Sequence, residues 1–346
     1  MTKLRWGVIG AGGIAKRRTI PEGILGSANA TLAGVFDVRD CESIARGFNT
    51  RAFASVDELL SSDIDAVYIA TPVHLHLQQV LQAAKARKHV LCEKPLGLSV
   101  AEAQQMVNAC DQAGVKFGVG LMMRFHAHHI AAANIIQSGK LGKPVFGRAQ
   151  LSCWYPPMEN AWRQNPREGG GGALMDLGAH CIDLLEMFFG KVSAVTCTIG
   201  RQVHSYAVED SGIVMLEFAS GAKGVVDCFF NVPDESSKNR LELYGTEASI
   251  LAEGTIGQSP AGTMRWYPRK SSGGYDAQQQ RATDESADIS AKPVNLYAAE
   301  ISVFSAACLG GGAAYVDGRA GLRNQQVLAA CYESAGSGKT VQLARV

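Results

Sequence analysis

A chain of 346 residues, 47% hydrophobic and 19% charged, has the apolar content of an ordinary globular protein and more length than one core needs, so two domains are expected. Its formal net charge of +1, without a long basic or acidic run, gives no electrostatic reason to bind nucleic acid or an anionic membrane, and no apolar stretch approaches a membrane span. The nine cysteines form no C-x-x-C pair and fall mostly in apolar periodic segments, and the start, MTKLRWGVIGAGG, shows no secretory pattern; both fit a cytoplasmic protein with reduced thiols rather than a disulfide framework or a zinc site.

The first element is an apolar run, Leu4–Ile9, read as a strand. Gly10-Ala11-Gly12-Gly13-Ile14-Ala15 comes next and fits G-x-G-x-x-G/A between a strand and a helix. The first two glycines permit a tight turn and close backbone approach to a pyrophosphate. The small third position lets helix pack on strand, and the free N–H groups of the first helical turn meet the phosphates. Gly10, Gly12, Gly13 and Ile14 are therefore candidate cofactor contacts. A second strand, Thr31–Phe36, ends in Asp37, where this fold hydrogen-bonds the adenosine ribose hydroxyls. A carboxylate there repels a 2′-phosphate and favours NAD; Arg39, which can reach a phosphate or stack on adenine, keeps NADP possible. The alternation continues with strand Ala66–Ala70 closed by Thr71-Pro72, helix His76–Ala86 and strand His89–Cys92, then Glu93-Lys94-Pro95, helix Val100–Ala113 and strand Lys116–Leu121. Such repeats make a doubly wound parallel sheet with ligand chemistry at the strand C-termini, where Thr71, Glu93, Lys94 and Arg124 all fall. Residues 1–124 are read as an NAD(P)-binding Rossmann domain.

Past Arg124 the pattern changes to a helix, Ala127–Gln137, a strand near Phe146–Leu151 and a tryptophan-containing loop, Cys153–Arg167. The stretch Gly169–Asp183, GGGGALMDLGAHCID, then opens with four glycines, which are costly to order but let a chain pass close to a ligand. Ala173–Phe189 reads as one amphipathic helix with Leu174, Leu177, Cys181, Leu184, Leu185 and Phe188 on its apolar side. Asp176 and His180 are four apart and share a face, with Asp183 on the same side, a candidate proton-transfer site. The alternative is a solvated polar face with His180 merely packed. Six strands come after it, Val192–Ile199, Gly212–Phe218, Gly224–Phe230, Arg240–Tyr244, Ser249–Ala252 and Met264–Tyr267. Helices Val294–Cys308 and Arg319–Ser334 and a last strand, Val341–Leu343, close the chain, while polar Lys270–Lys292 reads as a mobile loop. Residues 125–346 are thus expected to form an α+β domain on an open, mostly antiparallel sheet. Ile213–Phe218 is apolar on both faces apart from Glu217, so one face should cover the domain's own helices and the other a partner subunit, giving a homodimer or homotetramer. His126, His128 and His129, with His74 and His76, suggest a metal site, but H-x-H-H lacks i,i+4 spacing and has no acid close by, so no metal is assigned. His126 is a candidate for lining the substrate cleft, and Trp154, Tyr155 and Tyr275 for stacking on a sugar.

GAGGIA, ATPVHLH, CEKPL and GGGGALMDLGAHCID, in this order and spacing, resemble the Gfo/Idh/MocA oxidoreductases over nearly the whole chain, E-K-P and GGG-x-L-x-D-x-G-x-H-x-x-D being the specific parts. That family includes glucose–fructose oxidoreductase, inositol dehydrogenases and many sugar dehydrogenases. The resemblance implies reversible hydride transfer between nicotinamide and a hydroxyl or keto carbon of a sugar or cyclitol. By it, Lys94 sits beside the nicotinamide and stabilises charge on the reacting oxygen. His180 exchanges the proton. Asp176 binds a neighbouring hydroxyl and tunes His180; Asp183, a turn beyond the pair, is read as supporting them from behind or as structural. The resemblance further places Gly10–Gly13, Asp37, Thr71, Pro72, His76, Arg124, Trp162 and Arg163 at the cofactor, where Glu93 joins them by its place at the same strand end; Arg124 is also a substrate candidate, with His126 and Tyr155 from the reading above. The sequence departs from the family pattern at Val73, where Asn is usual, and at Met122-Met123, which makes that wall more apolar. Two alternatives stand beside this reading: an NAD-dependent glycoside hydrolase of related fold, and a non-catalytic NAD-sensing regulator, which the presence of Lys94, Asp176 and His180 disfavours.

Overall fold

The computed structural model describes residues 2–269, 277 and 285–344, so Tyr275 and most of the Lys270–Lys292 segment lie outside the described residues. Strands β1 (Leu4–Ile9), β2 (Ala30–Phe36), β3 (Arg51–Ala52), β4 (Ala66–Ile69), β5 (His89–Glu93) and β6 (Phe117–Gly120) form one parallel sheet in the order β3-β2-β1-β4-β5-β6. Strands buried on both faces read as continuous apolar runs, and these do. Trp6, Val8, Tyr68 and Leu91 pack on one face with Ile20, Ile24, Ile301 and Phe304, while Ile9, Val67, Ile69, Val90 and Cys92 pack on the other with Leu59, Val80 and Met106. Each aliphatic side chain so buried contributes about 1.5–3 kcal/mol.

The crossovers are a wide π-helix, Ala15–Ile24, and helices α1 (Cys41–Gly47), α2 (Val56–Ser61), α3 (His76–Lys85) and α4 (Val100–Ala113). The π-helix contains Pro21, which has no N–H to donate, and closes with Leu25 N–H donating to the Ile20 carbonyl at 3.0 Å. Ser55 and Ser99 cap α2 and α4 by accepting from the amides of Glu58 and Glu102, an S-x-x-E arrangement in both cases. Elements α1, β3 and α2 have seven, two and six residues, too short to show a period, and the sequence alone did not reveal them.

The second sheet has the order β14-β13-β12-β11-β7-β10-β9-β8-β15. Its strands are β7 (Pro144–Ser152), β8 (Val192–Gly200), β9 (Ser211–Phe218), β10 (Lys223–Phe229), β11 (Arg240–Gly245), β12 (Ala248–Glu253), β13 (Thr263–Pro268), β14 (Ala287–Asp288) and β15 (Val341–Gln342). All neighbours are antiparallel except β7 and β10. One face is covered by helices α5 (Ala127–Gln137), α7 (Ala179–Phe189) and α9 (Gly318–Ser337), whose Leu184, Leu185, Phe188, Leu328 and Cys331 join Val195, Val214, Leu216 and Val226 in a single core. On the other face Ile213 and Met215 are 46% and 55% exposed, so the alternation along β9 is inward Val214, Leu216 and Phe218 against outward Ile213, Met215 and Glu217. The short helix α6 (Pro166–Gly169) precedes the glycine ribbon, and helix α8 (Leu296–Cys308) returns to the parallel sheet, where Trp6 Nε1 donates to Ser305 Oγ at 3.1 Å.

The helix expected over Ala173–Phe189 runs over those bounds, but its first turn is widened. A π-turn, Leu174–Gly178, precedes α7, and the Ala179 N–H bonds the Leu177 carbonyl where the two join. The widened turn rotates α7 relative to the turn before it, so Asp183 leaves the face it was expected to share with Asp176 and forms a bidentate pair with Arg124 instead.

Candidate active site

Lys94 leaves the C-terminal end of β5 and crosses to the second half of the chain, where its Nζ donates to Asp176 Oδ1 at 2.6 Å and to the Asp176 carbonyl at 2.9 Å. Arg163 Nε lies 3.3 Å from the same carboxylate oxygen, its guanidinium 4.2 Å over the ring of Trp162. These side chains and His180 line one cavity of about 360 Å³ with Ile14, Thr71, Glu93, Tyr155 and Trp162. His180 is buried, and its Nδ1 has no hydrogen-bond partner among the described residues.

The charges are strongly coupled. Burial opposes ionisation of Asp176, yet the Lys94 ammonium and the Arg163 guanidinium hold its carboxyl well below the usual carboxylate range. Burial, reinforced by Lys94, pushes His180 well below its ordinary value despite the counter-pull of Asp176, so the ring is neutral and able to accept a proton. Glu93 is pushed up by burial; it accepts from the Tyr68 hydroxyl, which itself accepts from Thr19 Oγ1 at 3.0 Å, and from the Lys94 amide at 3.2 Å. A Cβ at Gly120 would lie 3.1 Å from the Glu93 carboxyl carbon, so β6 passes that carboxylate with little room to spare.

The glycine turn after β1 forms the cradle. Gly10 adopts φ +81°, and a Cβ there would lie 2.7 Å from the Thr71 amide nitrogen, which only glycine tolerates. Gly13 adopts φ +50° with open space at its Cβ position. The Gly12 amide donates to Asp37 Oδ2 at 2.8 Å and the Arg39 amide to Oδ1 at 2.9 Å, leaving each oxygen a further lone pair, while the Arg39 side chain is exposed. An open glycine cradle ending in a carboxylate suits the pyrophosphate and ribose of a dinucleotide, and these residues fit that group.

Several expected contacts do not reach the cavity. The buried His76 ring lies 3.1 Å from the Pro95 carbonyl and 2.9 Å from the Thr71 carbonyl, joining the ends of β4 and β5. Arg124 turns away to Asp183, and Met122 and Met123, from the same 3₁₀ turn, Met122–Phe125, line the cavity in its place. His126 Nε2 sits 3.1 Å from the Ala261 carbonyl, with its ring packed on His128 and His129. Among the described residues no three His, Cys, Asp or Glu side chains form a metal-binding group. Trp154 packs edge-on against His204 outside the cavity, whereas Tyr155 lines it against Phe230. The glycine ribbon does not border the cavity either. Cβ atoms at Gly171 and Gly172 would fall 1.9 Å from Tyr332 Oη and from the Glu209 carbonyl oxygen, so at these two positions only glycine makes room for those partners. Arg17, Gln258 and Tyr297 line the cavity unanticipated; only folding brings the latter two there, and no local pattern marks them.

The chain is similar to known proteins over nearly its whole length. A family described as "Oxidoreductase family, NAD-binding Rossmann fold" matches residues 4–121, and the "GFO/IDH/MocA C-terminal domain" matches residues 129–251. The 1,5-anhydro-D-fructose reductase of Ensifer adhaerens is 30% identical over 349 residues, covering 98% of both chains. The aldose-aldose oxidoreductase of Caulobacter crescentus, crystallised with glycerol, superposes with a TM-score of 0.87 at 26% identity over 99% of this chain and 100% of that one. Levoglucosan dehydrogenase, crystallised with NADH and levoglucosan, shares the fold with a TM-score of 0.85 at 22% identity over 99% and 100% of the two chains. No described helix is long and apolar enough to cross a membrane.

Proposed function

The chain belongs to the Gfo/Idh/MocA family of oxidoreductases, and on that premise we propose that it transfers a hydride reversibly between NAD and a carbinol carbon of a sugar or cyclitol. The convergence of Lys94, Asp176 and His180 on one cavity beside the glycine cradle carries the reading. Nicotinamide, when bound, supplies the hydride acceptor or donor. The chain's own residues do the rest. The Lys94 ammonium sits where charge develops on the substrate oxygen. His180, neutral through burial, takes the hydroxyl proton in oxidation and returns it in reduction. Asp176, kept ionised by Lys94 and Arg163, accepts from a neighbouring hydroxyl and fixes the ring. Asp37 favours NAD, while the exposed Arg39 leaves NADP usable at lower efficiency.

In this reading residues 1–124 hold the cofactor and residues 125–346 hold the substrate and mediate assembly. The exposed Ile213 and Met215 on the uncovered sheet face form the contact of a homodimer or homotetramer. The nine unbridged thiols suit a reducing cytoplasm.

The test is NADH absorbance with purified protein, NAD or NADP, and a panel of aldoses, ketoses, 1,5-anhydro sugars and inositols. Signal with a ring polyol, abolished in His180→Ala while NADH still binds, is the expected result. Silence across the panel with NAD tightly bound would replace this reading with the hydrolase or the sensor.

A further inference from the structure

The segment that carries Asp176 and His180 starts without a cap of its own. Ala173 stands at the N-cap position and offers no side-chain acceptor, and the orphan amides of a first helical turn need partners. Glu209, from the loop between β8 and β9, supplies them. Its Oε1 accepts from the Gly172 amide at 2.8 Å and the Leu174 amide at 3.1 Å, and its backbone carbonyl accepts from the Ala173 amide at 3.0 Å. Three successive amides thus end on one residue. The same Oε1 accepts from Tyr332 Oη of α9 at 2.7 Å, so the carboxylate is itself held from behind.

The arrangement is tight. Glu209 is 7% exposed, and the Cβ clashes at Gly171 and Gly172 are with Tyr332 and with Glu209 itself. That explains two of the ribbon's glycines without a ligand. The far end of the π-turn is secured from the same helix, since Asn324 Nδ2 donates to the Ala179 carbonyl at 2.9 Å. Between these anchors the Asp176 amide closes on the Gly172 carbonyl at 2.9 Å. The peptide planes that Glu209 orients are therefore the ones from which Asp176 hangs, and His180 comes one widened turn later.

We infer that Glu209, braced by Tyr332, is a positioning residue of the active site: it sets the first turn of the Gly172–His180 segment and thereby the placement of Asp176 and His180 against Lys94. This rests on the catalytic reading of those three residues. Glu209 touches neither the cavity nor the cradle, so it acts only through the segment it orders.

The experiment compares Glu209→Ala, Glu209→Gln and Tyr332→Phe with Asp210→Asn. Asp210 holds the same loop by accepting from the Gln202, Val203 and His204 amides and, among the described residues, makes no side-chain hydrogen bond to the ribbon, so it serves as the structural control. Glu209→Ala should lower kcat by about 100-fold, the scale of an ångström-sized misplacement. NADH affinity should stay unchanged and the acid limb of the kcat profile should move. Glu209→Gln, which keeps the shape and an acceptor oxygen, should restore most of the rate. Asp210→Asn should lower Tm with little change in kcat. Wild-type kcat and pH profile in Glu209→Ala, or an equal kcat loss in Asp210→Asn at matched Tm, would overturn the inference. If Glu209→Ala does not fold, Glu209→Gln and Tyr332→Phe decide it: a several-fold kcat loss in Tyr332→Phe at constant NADH affinity supports it, and unchanged kcat in both overturns it. Nitrogen-15 NMR of the His180 ring separates this from failure of the catalytic reading. If His180→Ala keeps its turnover, a displaced His180 resonance in the Glu209 and Tyr332 variants still supports positioning, and an unmoved one removes it.

Discussion

Replacing Lys94 by methionine keeps the apolar stem and deletes the ammonium, which isolates its charge. The geometry gives this change three consequences. A single preorganised donor at a developing oxyanion is worth about 2.7–4 kcal/mol, so kcat should fall by about 100- to 1,000-fold. The fold should tolerate the change, because Asp176 keeps Arg163 at 3.3 Å and is not orphaned. The cost should then stay below the roughly 3–5 kcal/mol of breaking a buried pair outright. The third consequence concerns pH. Burial is the larger cause of the low His180 affinity for protons, but Lys94 adds to it and Asp176 opposes it. Without Lys94 the balance tips toward Asp176, and His180 protonates at a higher pH than in the wild type. Oxidation needs the neutral ring, so the acid limb of the residual kcat profile should shift to higher pH. NADH formation measured across pH, with NADH affinity tracked by fluorescence, reads all three. A variant within about threefold of wild-type kcat and with an unmoved acid limb would show that Lys94 is not the electrostatic group.

Asp37→Asn removes the carboxylate charge while leaving an amide oxygen for the Gly12 or Arg39 amide. The ratio of kcat/KM for NADP to that for NAD should rise about tenfold or more, and an unchanged ratio would discard Asp37 as the discriminator. Charge on the open sheet face, introduced as Ile213→Asp with Met215→Asp, should convert the oligomer to monomer in sedimentation analysis; a wild-type protein already monomeric would rule out that interface. Burial lowers His129 to about 3, with Nδ1 2.7 Å from the Met123 carbonyl. Its folded-state value lies below the unfolded one, so its contribution is intact above about pH 6.5 and is lost as pH falls, about 2 kcal/mol by pH 5. Urea unfolding at the two pH values should therefore show a shallower acid loss in His129→Gln than in the wild type, and identical slopes would refute the assignment.

The alternation of strand and helix, the glycine cradle with Asp37, the Glu93-Lys94-Pro95 turn and the Asp176/His180 pair were all legible in the sequence. Each is a short-range signal: a run of buried-strand residues, a glycine where φ is positive, or two side chains one turn apart. The second sheet was legible too, through six separate strand patterns and the two-sided apolarity of β9. Beyond that range the sequence lost its hold. In the 3₁₀ turn Met122–Phe125 neighbouring side chains fan out in different directions; the apolar wall of Met122 and Met123 was anticipated, but only packing decided that Arg124 leaves it for Asp183. The π-turn Leu174–Gly178 has no periodic signature, yet it separates Asp183 from Asp176. Four glycines in a row suggested a close approach, and folding decided that Tyr332 and Glu209 make it at Gly171 and Gly172. Local chemistry along the chain determined which groups could react. The direction each one points was settled by contacts between residues such as Lys94 and Asp176, which lie 82 positions apart and meet only when the two sheets come together.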